Sequence, residues 1–582
     1  MNKIVKIWTL LTLLMMKLLA SEILPADISY LIQKNGFSKN ELGIYIKETK
    51  SNKIVTALNI DKQMTPASVI KVYSAYSILL ELGYDYRWST NFYYTGGYNK
   101  GTVGDLVVQA QGDPTLNSRD IPQIVKALKK KGIRRIKRNI VIDRSYFTVP
   151  KRDSSHFDKN IYSAYNAMPD ALMFNEHTSK FTIRPRKGRA EVNKQIPGNS
   201  YRVSNNIKIV NGSCRGTRAY PTISVDHSAA TPILRLSGNL SSHCGKRYYT
   251  YVITKPYKEF YAALVNELRR QGISYNGKMR LYSVPKGSKK VYTHYSNTLE
   301  KIISTTSKKS NNVFARHLLL TLGAKIYGAP SNLNKGRRAV EHVLNRYRLV
   351  NSSTTCIDNG CGLSRESRVT ARNMSRVLDH AFKSYGSRWM RTLSIAGVDG
   401  TIKRRFRSTI VKNRAWMKTG TLDKVKNISG YLQSNAGELY TVVILVNSKR
   451  AKWAGAKLQN EIMKWLVNYN GSGVNANIDF LQEDQKPKRF LWDTPQTNHN
   501  SRNEERTRPT EEKHYYVQVG SFSQSPNKDF LKILDESGLT YTITEQEGYK
   551  KVMVGPYSKP TLATQALKEL KAKIAGAYVT VL

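Results

Sequence analysis

The stretch Thr65-Pro66-Ala67-Ser68-Val69-Ile70-Lys71 runs directly into Val72, Ala75, Leu79 and Leu82, apolar residues spaced 3, 4 and 3 apart. That spacing predicts a helix with one face on a core. Pro66 suits its first turn, where a fixed φ and a missing N–H cost nothing. Ser68 then sits near the helix N-terminus, and Lys71 follows one turn later on the same face. An amine so placed can hydrogen-bond the hydroxyl. A lysine desolvated beside other cations has a lowered pKa and can take the serine proton. The positive end of the helix dipole favours the negative charge that develops there. Alone, Ser-x-x-Lys says little, because it recurs by chance in a chain with 93 lysines and arginines.

Two features further along give it weight. Ser310-Asn311-Asn312 lies between the helical stripe of Leu299, Ile302 and Ile303 and the run from Val313 to Leu320. The triplet therefore falls at a break between helices. Ser310 could shuttle a proton there and Asn312 could bind a substrate amide; the plainer reading is a helix N-cap. Ala415-Trp416-Met417-Lys418-Thr419-Gly420-Thr421 precedes the strand patterns Ile428 to Leu432 and Tyr440 to Val446. Lys418-Thr419-Gly420 thus reads as part of an antiparallel meander. It offers a cation and a hydroxyl to a carboxylate, with a glycine that lets substrate backbone come close. The plainer reading is an exposed strand lysine.

Taken in order, S-x-x-K, S-x-N and K-T-G resemble the active-serine penicillin-recognising enzymes. More than two hundred residues separate Lys71 from Ser310, far more than a compact β-lactamase uses. Gly112-Asp113-Pro114-Thr115-Leu116, Asp358-Asn359-Gly360-Cys361-Gly362-Leu363-Ser364-Arg365 and Ala396-Gly397-Val398-Asp399-Gly400-Thr401 narrow the likeness. They are similar to the D-alanyl-D-alanine carboxypeptidase/endopeptidase family, the low-molecular-weight class C penicillin-binding proteins. The resemblance spans residues 24–470. It implies an α/β fold, a β-lactamase/transpeptidase-like serine D,D-peptidase domain whose halves, 24–90 and 285–470, flank an insert of about 91–284.

Carried onto this sequence, the resemblance makes Ser68 the nucleophile and Lys71 its general base. Ser310 and Asn312 become the second motif, and Lys418, Thr419 and Gly420 the third. The backbone N–H groups of Ser68 and Thr421 would form the oxyanion hole. Asn311 stands where the family often has Asp, a position read as structural. The implied reaction is acyl transfer from peptidoglycan stem peptides to Ser68, then hydrolysis, without metal or cofactor. The leaving amine is terminal D-Ala in a carboxypeptidase and a cross-linking diamino acid in an endopeptidase. β-Lactams would acylate Ser68 and leave slowly. A β-lactamase is the nearest enzymatic rival, but no E-x-x-L-N stretch lies between Lys71 and Ser310 to carry a class A deacylating carboxylate. The alternative from another class is a catalytically inactive peptidoglycan-binding scaffold.

The compartment is read from the N-terminus. MNKIVKIWTLLTLLMMKLLA, residues 1–20, has Lys3 and Lys6 before a short apolar run and the small residues Ala20 and Ser21 after it. That is the order of a secretory signal peptide cleaved near Ala20; an uncleaved anchor is the alternative. No later run approaches the roughly 20 apolar residues of a spanning helix. The chain of 582 residues has 93 basic and 42 acidic side chains, a formal charge of +51, which calls for an anionic partner. Export turns that reading from nucleic acid toward the cell wall and places the protein in the periplasm. The run KALKKKGIRRIKR, residues 126–138, is either a solvated face or an attraction to the anionic wall. Four cysteines do not make a disulfide scaffold. Cys214 with Cys244, and Cys356 with Cys361, are expected as two local disulfides, and their spacing does not suit zinc.

Residues 471–510 are rich in Asn, Gln, Pro, Arg and Glu and read as a flexible linker, with Phe490-Leu491-Trp492 as its one apolar cluster. Order returns over 511–582 as βαββαβ, a small α/β sandwich. His514-Tyr515-Tyr516-Val517-Gln518-Val519-Gly520-Ser521-Phe522 and Val552-Met553-Val554-Gly555-Pro556-Tyr557 resemble a SPOR domain. That family binds denuded glycan strands, often at division sites, which implies septal targeting and divisome proteins as neighbours. Tyr516, Phe522 and Tyr557 are read either as sugar-contacting aromatics or as core. The aromatic pattern of RNA-binding modules is absent, so no nucleic acid is expected.

Overall fold

The computed structural model describes residues 22–149, 158, 160 and 162–471, and within 515–581 the strands and scattered positions between them. The expected leader, most of the expected linker including Phe490-Leu491-Trp492, and the Tyr557 side chain lie outside the described residues. The chain divides into two compact units between Lys488 and Arg489.

The first unit is built on a six-stranded antiparallel sheet in the order Ser394–Ile395, Ala415–Leu422, Val425–Gln433, Leu439–Asn447, Leu42–Glu48, Ile54–Leu58. Sequence-distant ends meet at its centre, where Ile44 pairs with Ile444. The strand LYTVVILVN is apolar on both faces because both are covered. Val442, Ile444 and Val446 pack with the helices Ala26–Lys34 and Ala451–Val467. Val443 and Leu445 pack with Lys71–Leu82, Leu299–Lys308 and Ala371–Met390. The helix after the opening motif is not the one-faced helix its spacing predicts. Every side chain from Lys71 to Leu79 is buried, because this helix runs through the middle of the layer with neighbours all round.

The long interruption forms its own layers. A five-stranded mixed sheet takes the order Met279–Leu281, Ile140–Asp143, Leu106–Ala110, Ser89–Tyr94, Lys289–Tyr295, backed by the helices Ile121–Lys130 and Pro256–Arg270. Its first and last strands in the chain, Ser89–Tyr94 and Lys289–Tyr295, pair antiparallel, so the chain leaves and rejoins the peptidase half side by side. Two three-stranded sheets from Ser179 to Tyr251 add a small β module with its own core. In the basic run 126–138, Ile133 and Ile136 are buried with Leu128, while every lysine and arginine is exposed.

The Cys214–Cys244 disulfide staples that β module. The second expected disulfide is absent: Cys356 and Cys361 are free thiols. Cys356 is exposed, whereas Cys361 turns inward beside Ala315 and Leu363, its thiol donating to Asn359 Oδ1 at 3.1 Å. The turn between them folds one sulfur into the core and leaves the other outside.

In the second unit, Tyr541–Gln546, Tyr549–Tyr557, Tyr515–Phe522 and Tyr578–Val581 form one antiparallel sheet in that spatial order. Val517, Val519, Val552 and Val554 share a face with Leu534 and Leu570. Phe522 stacks edge-on to Phe530 with ring centroids 5.0 Å apart, which assigns it to packing. Tyr516 is half-buried.

The thiol assignment is checked by titrating unreduced protein. One thiol, Cys356, reacts in the native state and a second, Cys361, appears on unfolding; no thiol at all would restore the second disulfide.

Candidate active site

The segment before Ser68 is held onto the sheet by two asparagines. Asn427 Nδ2 donates to the carbonyls of Thr65 and Pro66, each at 2.9 Å, while its Oδ1 accepts from Val446 N–H at 2.8 Å. Asn447 Oδ1 accepts from Thr65 N–H at 2.8 Å. Ala67 then takes φ 48°, an unfavourable region for a residue with a Cβ. That kink starts a tight turn, Ala67–Ile70, which passes into the helix at Lys71.

Ser68 and Lys71 emerge on one side of it. Lys71 Nζ donates to Ser68 Oγ and to Asn312 Oδ1, both at 2.8 Å, and also to the Cys361 carbonyl. Ser68 Oγ donates to that carbonyl at 3.3 Å. Lys71 is fully buried. Burial lowers its pKa from 10.5 to about 8, Arg316 adds to the shift by repulsion, and the Cys361 thiol opposes it.

The structure bears out the plainer reading of the second motif, a helix N-cap. Asn311 is the N-cap of the helix Asn312–Tyr327, accepting from Phe314 N–H at 3.0 Å. Ser310, at φ 53°, and Asn312 flank the cap and face the site. Asn312 Nδ2 donates to the Tyr165 carbonyl at 2.9 Å, so both ends of its amide are engaged by protein. It braces the lysine rather than presenting a free amide.

Lys418 lies on the strand Ala415–Leu422, as its motif predicts. Its Nζ donates to Ser310 Oγ at 3.0 Å and to the Thr419 carbonyl at 2.7 Å. Burial, then repulsion from Lys71, hold it well below the ordinary lysine range. Thr419 Oγ1 lies 2.8 Å from Thr401 Oγ1. Gly420 passes so close to the turn that a Cβ there would sit 2.7 Å from the Pro66 carbonyl oxygen and 2.9 Å from Ser68 N. The K-T-G strand and the Ser68 backbone are thus in van der Waals contact, with Thr421 next along the same strand.

Sequence reading of single motifs missed the supporting groups. The insert reaches in through the Tyr165 carbonyl and through Glu176, which accepts from Asn311 Nδ2 at 2.7 Å. The Gly112 carbonyl accepts from His317 on the same helix at 3.0 Å. Asp399 accepts from Ile395 N–H at 2.8 Å and pairs with Lys308 at 2.5 Å, fixing the turn that carries Thr401. For Gly112, Asp399 and Thr401 the signal lay in the glycine-containing stretches quoted above, which mark close backbone approach without naming the partner; Tyr165 and Glu176 lie in none of those stretches.

Comparison with known proteins gives the family and the fold. The model of the D-Ala-D-Ala carboxypeptidase 3 (S13) family fits residues 24–469, and that of the SPOR domain fits residues 511–580. The chain belongs to the D-Ala-D-Ala carboxypeptidase 3 (S13) family. It is a D-Ala-D-Ala carboxypeptidase that ends in a SPOR domain. It is 27% identical over 440 residues to the D-alanyl-D-alanine carboxypeptidase DacB of Haemophilus influenzae, covering 72% of this chain and 88% of that protein. It is 23% identical over 464 residues to the D-alanyl-D-alanine carboxypeptidase of Actinomadura sp. strain R39, covering 77% and 85%. The crystal structure of penicillin binding protein 4 from Haemophilus influenzae superposes with a TM-score of 0.66 at 24% identity, over 76% of this chain and all of that one. The same protein complexed with a novel β-lactam gives 0.63. These superpositions carry the transpeptidase-like fold. Among the described residues of the carboxypeptidase, no helix is long and apolar enough to cross a membrane.

Asn427→Ala would strip partners from two carbonyls and one buried N–H at the base of the site. It should cost about 3 kcal/mol, read as a lower melting midpoint. An unchanged midpoint would remove Asn427 from the support of Ser68.

Proposed function

We propose that the carboxypeptidase hydrolyses D-Ala-D-amino-acid bonds of peptidoglycan stem peptides and cross-links through an acyl-enzyme on Ser68, and binds penicillin there. The observation that carries this reading is Lys71, fully buried and 2.8 Å from both Ser68 Oγ and Asn312 Oδ1. In its neutral form Lys71 takes the Ser68 proton as Oγ attacks the carbonyl carbon. The C=O pair moves onto oxygen, where the N–H groups of Ser68 and Thr421 receive it. The proton passes from Lys71 through Ser310 to the leaving amine, the C–N bond breaks, and the ester remains. Water then repeats the attack, with Lys71 again as base, and frees Ser68. Lys418 and Thr419 hold the substrate carboxylate, and Gly420 gives its backbone room.

A β-lactam enters by the same attack. Its ring opens instead of releasing an amine, and the ester then hydrolyses slowly. Export by the leader 1–20 brings the enzyme to the periplasm. The SPOR domain binds glycan strands stripped of stem peptides and concentrates the enzyme at the wall, the septum and the divisome. A surplus of 51 positive charges favours that anionic polymer.

Wild type should label with a fluorescent penicillin and Ser68→Ala should not; equal labelling of both would refute the nucleophile. Lys71 must be neutral to act, and its pKa is lowered to about 8. The labelling rate should therefore rise about tenfold per pH unit below that value and level off above it. Deleting 511–582 should spare labelling while weakening co-sedimentation with amidase-treated sacculi, and unchanged sedimentation would refute the targeting role.

A further inference from the structure

Lys71 has three oxygen partners, and the three motifs account for only two of them. The third, the Cys361 carbonyl, belongs to the turn 359–363. The same oxygen accepts from Ser68 Oγ at 3.3 Å, so one carbonyl touches both the proposed base and the proposed nucleophile. We propose that Asn359 is a positioning residue of the catalytic centre, holding this turn so that the Cys361 carbonyl grips the Lys71 amine and the Ser68 hydroxyl. The proposal rests on the assignment of Ser68 and Lys71 made above.

Asn359 is buried and works from inside the turn. Its Oδ1 accepts from Cys361 N–H, Cys361 Sγ and Gly362 N–H, each at 3.1 Å. Its Nδ2 donates to the Leu363 carbonyl at 2.7 Å. One amide therefore closes the turn at both ends. From outside, Ser74 Oγ donates to the Gly360 carbonyl at 2.9 Å. The fit leaves no slack. A Cβ on Gly362 would lie 2.0 Å from the Ala67 carbonyl oxygen, and one on Gly360 would lie 2.8 Å from Ser74 Oγ. The turn is thus wedged against the residue before Ser68 and against the helix that carries Lys71. Cut the Asn359 bonds and the carbonyl loses the geometry that ties the amine to the hydroxyl.

Asn359 is also neutral, and that has a chemical consequence. The charged and titratable groups facing Lys71 are Arg316 from the helix Asn312–Tyr327, Lys418 from the strand Ala415–Leu422, and the Cys361 thiol from the turn. When Lys71 takes the serine proton, its ammonium is received by the Asn312 amide oxygen and the Cys361 carbonyl, both uncharged. A carboxylate inside the turn would favour the charged lysine and withhold the base until higher pH.

The experiment compares wild type, Asn359→Ala, Asn359→Asp and Ser68→Ala in the full chain. The rate of acylation by a fluorescent penicillin is followed from about pH 6 to pH 10, with kcat and KM on a D-Ala-D-Ala peptide and the melting midpoint. Asn359→Ala should lower the acylation rate and kcat at least about 30-fold, with KM within about twofold. Asn359→Asp keeps three acceptor bonds, so it should recover most of the rate at high pH. Its acid limb should lie about one pH unit or more above that of wild type. Folded Asn359→Ala protein that acylates at the wild-type rate overturns the proposal, even with a lowered melting midpoint. If Asn359→Ala does not fold, an unshifted acid limb in Asn359→Asp overturns it. Labelling of Ser68→Ala would instead overturn the reading of the site, leaving the two failures distinct.

Discussion

The site depends on one unusual placement: a buried amine, Lys71, whose hydrogen bonds go to three neutral oxygens and to no carboxylate. Burying a cation without a carboxylate is costly, and the group responds by losing its proton more readily. On the proposed mechanism, that desolvation cost becomes reactivity toward the neighbouring hydroxyl. A second buried lysine, Lys418, adds repulsion from the other side. The fold has to supply the rigidity that keeps both amines dry.

It does so by convergence. The six-stranded sheet brings together the N-terminal strands and the strands near the end of the unit, so the Ser68 turn is stapled by Asn427 and Asn447. The helix with Lys71 runs through the core, where no face meets solvent over its first nine residues. The capped helix beginning at Asn312 brings its amide up to Lys71 from another direction. Strain at Ala67 and Ser310, both at positive φ, is tolerated because neighbouring elements hold each residue from several sides.

The motif residues were legible in the sequence because each combines a local spacing with a chemical type. Ser68 and Lys71 share a helical turn, Asn311 is a cap, and Lys418 alternates inward on a strand. The supports were not legible, because they are backbone groups or distant amides. Nothing local announces that the Tyr165 carbonyl will meet Asn312, or that Asn427 will staple Pro66. The Cys356–Cys361 expectation failed for a related reason. Spacing along the chain says two sulfurs can meet, but Asn359 inside the turn holds the Cys361 thiol inward while Cys356 stays exposed. The four strands expected in the second unit form one antiparallel sheet, since alternating valines mark a covered face directly.

The neighbouring strands Ser89–Tyr94 and Lys289–Tyr295 have a bearing on how such an enzyme can change over time. A loop whose two stems stand together can grow, shrink or be exchanged as a cassette while the hydrolase body keeps its register. Here that freedom is curtailed. Tyr165 and Glu176 of the cassette brace the helix cap beside the lysine, so a replacement that keeps this bracing must rebuild the same two acceptors.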